Sequence, residues 1–483
     1  MRNALTLALA AALAACSFAP QYERPAAELP QAWRDQPAAG TPAPGERWWT
    51  LFGDPALDAL VGEGLARNQD LAIAVARVDE ARAFTRIAQS ELYPSVVGRA
   101  GGSRERASQS TDFFFSGVPV YSTNYRASLD VAYELDLWGR LRNATAAARA
   151  DALATEAARD TIRIALEAEI VRSYFALRAL DEQVAATQRA LDLRANALEI
   201  ERSRAAAGLI SELDVRQLEG EVAAARALLP ALERARAAED SAAAVLVGRD
   251  PRAIMDGTIS RASGPDTREP EVVVPAGLPS ELLLRRPDLF EAEQRLIAAD
   301  ARIGVARAQF FPQIALTGYL GSEAASLSNL FSGPAGIWGF GAGLLQPIFQ
   351  GGRLLAEADA AEARQRQAVA LYQKTIQNAF REVRDAISAQ ARAREVYAAE
   401  GARVEAQRAA LALAAARYRA GLVNLIVPID AERRLLEAEL NRSDALRVQR
   451  AAIADLVRAL GGGWTAPEDP AAASAAPDRQ ATR

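Results

Sequence analysis

The sequence predicts an α+β membrane protein: a small set of β-strands and two very long α-helices, arranged as an internal tandem repeat whose strands close a barrel only by oligomerisation. Three observations carry this. From Tyr125 to Leu137 the odd positions read Tyr, Ala, Leu, Val, Tyr, Leu, Leu, and the even ones Arg, Ser, Asp, Ala, Glu, Asp. Such alternation marks a strand with one apolar and one polar face, and about 9–11 residues cross a bilayer at a tilt. After Arg140 no Pro or Gly occurs until Gly208, and Leu166, Ile170, Leu177, Leu180, Val184, Leu191 and Leu198 share one heptad stripe. Ser173, Thr187 and Arg194 fill its remaining positions, so the seam is imperfect. A helix of roughly 65 residues is about 100 Å long and needs neighbours along its whole length.

The third observation is the repeat. Tyr93-Pro94 is echoed by Phe311-Pro312, and the strand at Tyr125 by Trp338, Phe340, Ala342 and Leu344 at matching parity. Gly139, Gly208 and Gly248 recur 213 residues later as Gly352, Gly421 and Gly461. Tyr93 and Phe311 are 218 residues apart, so the first hairpin is five residues longer, which places an insertion in its loop.

Taken in order, residues 1–15 read as a lipoprotein signal peptide, with Arg2, a short apolar region and the lipobox-like run Leu13-Ala14-Ala15-Cys16. Cys16 is the expected site of lipidation, and Ser17 after it goes with outer-membrane sorting in known lipoproteins. Residues 16–53 form an extended Pro- and Ala-rich leader ending in the apolar cluster Trp48, Trp49, Leu51 and Phe52. The first repeat, residues 54–250, opens with a helix at Asp54-Pro55 and a second from Leu71 to Glu91. A hairpin (about 93–138), the long helix (about 140–207) and a return helix (about 211–248) follow. Residues 251–279 are a connector carrying Val272-Val273-Val274. The second repeat, 280–464, has a helix from Leu282 to Gln309, a hairpin (about 312–350), a long helix (about 353–420) and a return helix (about 424–460). The tail, 465–483, has a disordered composition.

Composition removes most chemistry. The 483 residues contain no His and only Cys16 as cysteine, which excludes His- and Cys-based metal sites, Ser-His triads and thiol catalysis. The net charge of −5 and scattered arginines leave no nucleic-acid footprint. No cofactor is expected beyond a covalent lipid on Cys16. No apolar run reaches the roughly 18 residues of a transmembrane helix, so the strands must do the spanning. Open strand edges cannot face lipid, and four strands are too few for a bacterial barrel, which begins at about eight. A cyclic trimer supplies twelve strands closed by symmetry. In that arrangement Arg126, Ser128, Asp130, Glu134 and Asp136 line water, while Leu129 and Val131 face lipid. Aromatics near the strand ends, Phe113 to Phe115, Tyr121, Phe331 and Trp338, suit a membrane boundary.

Several longer motifs resemble the TolC/OprM outer-membrane factor family, and its lipidated OprM branch in particular. They are Glu134-Leu135-Asp136-Leu137-Trp138-Gly139-Arg140, Leu278-Pro279-Ser280-Glu281-Leu282-Leu283-Leu284-Arg285-Arg286-Pro287-Asp288, Ala308-Gln309-Phe310-Phe311-Pro312-Gln313-Ile314, Arg417-Tyr418-Arg419-Ala420-Gly421 and Leu460-Gly461-Gly462-Gly463-Trp464. The resemblance runs from Cys16 to Trp464. It implies a homotrimer with a twelve-stranded outer-membrane barrel on a periplasmic helical coiled-coil barrel and an equatorial domain. It also implies the exit duct of a tripartite efflux pump, partnered by a periplasmic adaptor and an inner-membrane transporter of the resistance-nodulation-division (RND) type. The resemblance makes Gly208, Leu209, Gly421 and Leu422 the tips that meet the adaptor; a left-handed helix stop explains the glycines equally well. At the inner mouth Tyr418 and Arg419 can donate and Asp214 or Asp430 can accept, which would make a periplasmic gate; solvated helix ends are the alternative. The tip aspartate of OprM is Val423 here, so its role is not carried over. A type I protein secretion channel and a non-transporting helical scaffold lipoprotein remain the other readings, and the cargo is not legible.

Overall fold

A computed structural model describes residues 18–26, 30, 45–110, 117, 119–262 and 282–466. Cys16, Phe113 to Phe115, Val272 to Val274 and the start of the Leu278–Asp288 motif lie outside the described residues. After a 3-10 turn at Trp48–Phe52 come α1 (Pro55–Arg67), α2 (Gln69–Ser90), β1 (Ser95–Arg106), β2 (Tyr121–Leu135), α3 (Arg140–Ala206), α4 (Glu212–Leu246) and α5 (Pro251–Asp256). The second half supplies α6 (Leu282–Arg285), α7 (Pro287–Ala308), β3 (Gln313–Ala324), β4 (Gly336–Leu345), α8 (Arg353–Arg419) and α9 (Ile426–Ala459). The two long helices have 67 residues each, about 100 Å at 1.5 Å per residue. Among the described residues no helix is long and apolar enough to cross a membrane.

The described residues pack as two units. One draws on Met1–Ala26, Arg77–Glu156 and Glu291–Gln373, the other on Ala27–Ala76, Ala157–Phe290 and Lys374–Arg483. Packing therefore does not follow the two sequence repeats, because each repeat contributes to both units. The first unit shows why: its one sheet has the order β1-β2-β3-β4, so β2 of the first repeat bonds to β3 of the second. All pairs are antiparallel, and β1 and β4 are left as edges. The start of the leader is held to this unit. Phe18 stacks on Phe311 at 4.4 Å, Phe311 on Trp138 at 5.0 Å, and Arg24 and Tyr22 both bond the Glu293 carboxylate.

In the second unit the repeat is visible as paired geometry. Return helix α4 ends at Gly248, where Gly248 N–H bonds Val245 O and Arg249 N–H bonds Ala244 O; α9 ends at Gly461 with bonds to Arg458 O and Val457 O. Both glycines have positive φ, 74° and 95°, as this helix stop requires. A Cβ at Gly248 would lie 2.1 Å from Arg67 O, and one at Gly461 would lie 1.9 Å from Arg285 O, so neither site admits a side chain. The residue after each of those carbonyls is a buried donor to the neighbouring helix end: Asn68 Nδ2 to Leu246 O and Arg286 Nη1 to Ala459 O, both 2.8 Å. Arg286 also pairs with Asp288 and Glu382, which gives the Leu278–Asp288 motif a structural task.

The heptad stripe of α3 buries Leu166, Ile170, Leu177 and Leu198, and it buries its polar interruptions as well. Ser173 donates to Glu239, and Arg194 pairs with Glu221 of α4 and Glu432 of α9 at 3.3 and 3.2 Å. At Ser173 and Arg194 the imperfect seam thus carries buried polar ties between helices, which fix register where apolar packing alone would allow sliding.

Candidate functional site

The sheet offers two chemically distinct faces. Cross-strand partners in an antiparallel sheet share a face, so the register assigns every residue. Arg126 lies opposite Gly101 and Glu323, Ser128 opposite Arg99 and Gly321, Asp130 opposite Val97 and Tyr319, and Glu134 opposite Ala315. This face is polar and its charges are paired. Arg99 meets Asp130 at 3.1 Å, and Arg126 meets Glu323 at 3.5 Å while lying 4.8 Å from the Tyr319 ring centre. Glu134 takes a bidentate grip from Arg140 at 2.9 and 2.7 Å. Ser128 belongs to the face but is buried, its hydroxyl donating to Asp130. The opposite face carries Val96, Tyr125, Leu129, Val131, Leu316, Leu320, Trp338, Phe340 and Leu344. Leu129, Leu320, Trp338 and Phe340 on it are largely exposed, which a soluble sheet face would not tolerate without a cover.

One expected face residue is corrected. Asp136 lies beyond β2, which ends at Leu135, and instead accepts from the backbone N–H of Arg142 at 2.8 Å. It caps the first turn of α3, where a carboxylate meets the unpaired N–H groups and the positive end of the helix dipole. The parity of the sequence simply continues past the last paired residue.

At the other end of the long helices the chain reverses twice. Gly208 and Gly421 have φ of 72° and 70°. Leu209 N–H bonds Arg204 O and Leu422 N–H bonds Arg417 O, both at 2.9 Å, so the two turns are the same helix-stop motif. Leu209 and Leu422 are left 69% and 70% exposed as apolar knobs beside each turn.

The four residues expected to form a gate do not meet within one chain. Asp214 forms a capping box with Ser211 at the start of α4, and Asp430 pairs with Arg433 and Arg434 on its own helix. Arg419 is exposed and bonds the carbonyl of Ala415 one turn back. Each acid is satisfied locally, Asp214 by the N-cap of its helix and Asp430 by arginines three and four residues on. Tyr418 has a different circle. Its hydroxyl donates to Glu201 and accepts from Arg204, both at 2.9 Å, and the Arg204 guanidinium sits 5.6 Å from its ring centre. Burial and the Glu201 carboxylate push the Tyr418 hydroxyl above its ordinary pKa, so it stays a donor. Tyr418 packs on the cluster of Leu198, Val215, Leu218, Val222, Leu425 and Ile429, which joins α3, α4 and α9. Glu201 could have been found from sequence, since it continues the polar seven-residue step of Thr187 and Arg194.

A further buried acid went unnoticed in the sequence. Glu167 of α3 is fully buried, accepts from Trp48 Nε1 at 3.1 Å and has Arg163 at 3.3 Å. Burial raises its pKa to about 7, against the lowering effect of Trp48 and Arg163. Among the described residues no group of His, Cys, Asp and Glu could hold a metal ion.

The profile of the outer membrane efflux protein family matches residues 60–249 and 278–462. This chain belongs to the outer membrane efflux protein family. It is 38% identical over 461 residues to outer membrane protein OprJ of Pseudomonas aeruginosa, covering 95% of each chain. It is 36% identical to the toluene efflux pump outer membrane protein TtgI of Pseudomonas putida, covering 94% of this chain and 96% of the relative. The fold matches the CmeC outer membrane channel of Campylobacter jejuni with a TM-score of 0.89 at 25% identity, over 95% of this chain and 98% of that one. The open state of the MtrE outer membrane channel of Neisseria gonorrhoeae matches with a TM-score of 0.81 at 31% identity, over 93% and 98%. These efflux proteins are a channel family of the outer membrane, and the family, fold class and efflux role expected from the sequence motifs all stand.

Proposed function

We propose that this efflux protein is the outer-membrane exit duct of a tripartite RND-type pump, working as a homotrimer and conducting small toxic compounds without catalysis. The observation that carries the reading is the four-stranded sheet with one paired-charge face, one exposed apolar face and two unpaired edges. Three copies close twelve strands, bury every edge and turn the apolar face to lipid, and only a closed barrel of this kind lets such strands span a bilayer. Arg126, Asp130 and Glu134 then face the lumen, and Leu129 and Val131 face the membrane.

The long helices extend into the periplasm, with a lipid on Cys16 as a second anchor. Leu209 and Leu422 beside Gly208 and Gly421 are apolar contacts for the periplasmic adaptor, which links the duct to the inner-membrane transporter. The inner mouth is held by Glu201, Tyr418 and Arg204 rather than by Asp214 and Asp430. Relatives named for toluene and antibiotic efflux support small organic cargo.

Deletion of the gene followed by a panel of antibiotic, solvent and metal susceptibilities tests this. Increased susceptibility to organic compounds, restored by the gene in trans, is expected. Unchanged susceptibility together with loss of a secreted protein would replace the pump with type I secretion.

A further inference from the structure

The two edge strands carry complementary features on the apolar face. β1 places Arg104 and Arg106 there, both exposed and both stacked near Tyr121 at 5.7 and 6.0 Å. β4 places Trp338 and Phe340 there, stacked on each other at 6.1 Å with planes 9° apart and 70% and 85% exposed. A guanidinium on the lipid side of a strand is costly unless aromatic faces or the polar boundary receive it.

The internal repeat supplies a template for joining these edges. Ser95 opposite Ala132 in the first hairpin corresponds to Gln313 opposite Leu345 in the second, so β1 is the counterpart of β3 and β2 that of β4. The two repeats are joined through β2 and β3, with Leu135 opposite Ile314 and Tyr125 opposite Ala324. The same junction between β4 of one copy and β1 of the next places Leu345 opposite Arg99, Gly343 opposite Gly101 and Gly341 opposite Ser103. On the apolar face it places Phe340 opposite Arg104 and Trp338 opposite Arg106. Every pair keeps its face, which a one-residue slip would destroy.

We infer that this chain joins a second copy of itself by pairing β4 with β1 in that register, sealed toward lipid by a ladder of Phe340 and Trp338 against Arg104 and Arg106. The inference rests on the duct reading for the existence of a closed oligomer, but that reading fixes neither the register nor the ladder. The aromatic rings give the two guanidiniums cation–π partners on both sides, Tyr121 from their own copy and the β4 aromatics from the next. On the lumen face the middle of the seam sets Gly343 against Gly101 and Gly341 against Ser103, which lets the two backbones meet there without side-chain conflict.

Cysteine pairs test the register. Gly341 has only the Thr317 hydroxyl at 3.6 Å from an added Cβ, so a cysteine fits there, and Cys16 is the sole native cysteine. Full-length protein carrying Gly341→Cys with Ser103→Cys is treated in isolated membranes with a bifunctional thiosulfonate spanning about 5 Å, the separation of opposed Cβ atoms. Gly341→Cys with Gly101→Cys and Gly341→Cys with Glu105→Cys serve as shifted registers, and the unsubstituted chain as the control for Cys16. A covalent trimer from the first pair, with little from the shifted pairs, is expected. Preferential cross-linking of a shifted pair in a protein that light scattering shows to be trimeric overturns the register and leaves the duct intact. A monomer with no cross-link in any pair removes the duct reading and this inference together. Arg104→Ala with Arg106→Ala should lower the temperature at which the unheated trimer dissociates, with lysines at both positions retaining most of it. Unchanged dissociation in the alanine pair overturns the ladder.

Discussion

Leu129 and Asp130 are adjacent in β2, point to opposite faces and should respond oppositely to the same substitution. Leu129 lies near the middle of a 15-residue strand, opposite Gly98 and Leu320, neither of which can offer a counter-charge. Arginine there would be held at mid-bilayer at a cost of about 2–4 kcal/mol per copy, or about 6–12 kcal/mol for a barrel of three. Leu129→Arg should therefore abolish the folded trimer on unheated gels. Asp130→Arg removes the ion pair with Arg99 and sets two guanidiniums together, but on a face open to water. An exposed pair contributes about 0–1 kcal/mol, so the trimer should persist. The substitution changes the lumen by two charges per chain, about six per trimer, and should move the reversal potential in a salt gradient toward anion selectivity. Equal loss of trimer in the two variants, or equal retention, would refute the assignment of faces.

Two other outcomes follow from single residues. Glu167→Gln should raise the melting temperature at pH 8 and leave it unchanged near pH 4. The folded carboxyl titrates at about 7, above its unfolded value, so folding retains a proton that the unfolded chain releases, and stability falls as pH rises from about 4.5 to 7. The full penalty, on the order of 3 kcal/mol for about 2.5 pH units of displacement, is present only above that window. A melting temperature lowered at pH 8 by the substitution would contradict this. Cys16→Ala should lose the labelled palmitate that the unsubstituted protein incorporates, while the barrel still holds the trimer in the membrane; an unlabelled native protein would end the lipoprotein assignment.

The strand faces and long helices were legible because each follows from a short-range rule: alternation for Tyr125 to Leu135, and freedom from Gly and Pro between Arg140 and Gly208. The reversals at Gly208 and Gly421 were legible for the same reason, since a left-handed stop favours glycine. Asp136 was misplaced because alternation does not record where hydrogen-bonded pairing stops and helix capping begins. The buried polar ties of α3 were only partly legible. Arg194 showed as an interruption of the stripe, yet its partners Glu221 and Glu432 come from helices α4 and α9, and sequence spacing does not choose among the many acids those helices carry. Glu167 was hidden because its burial depends on Trp48, 119 residues away in sequence.

The proposed duct requires a water-filled path closed at its inner mouth by Tyr418 and Glu201. Single-channel recording of purified protein in planar bilayers addresses it directly, comparing the native chain with the Tyr418→Ala, Glu201→Ala double variant. Discrete conductance steps from the native trimer and larger steps from the variant, with trimer stability unchanged, are the expected result. Trimers of both that insert into the bilayer and pass no current would contradict it.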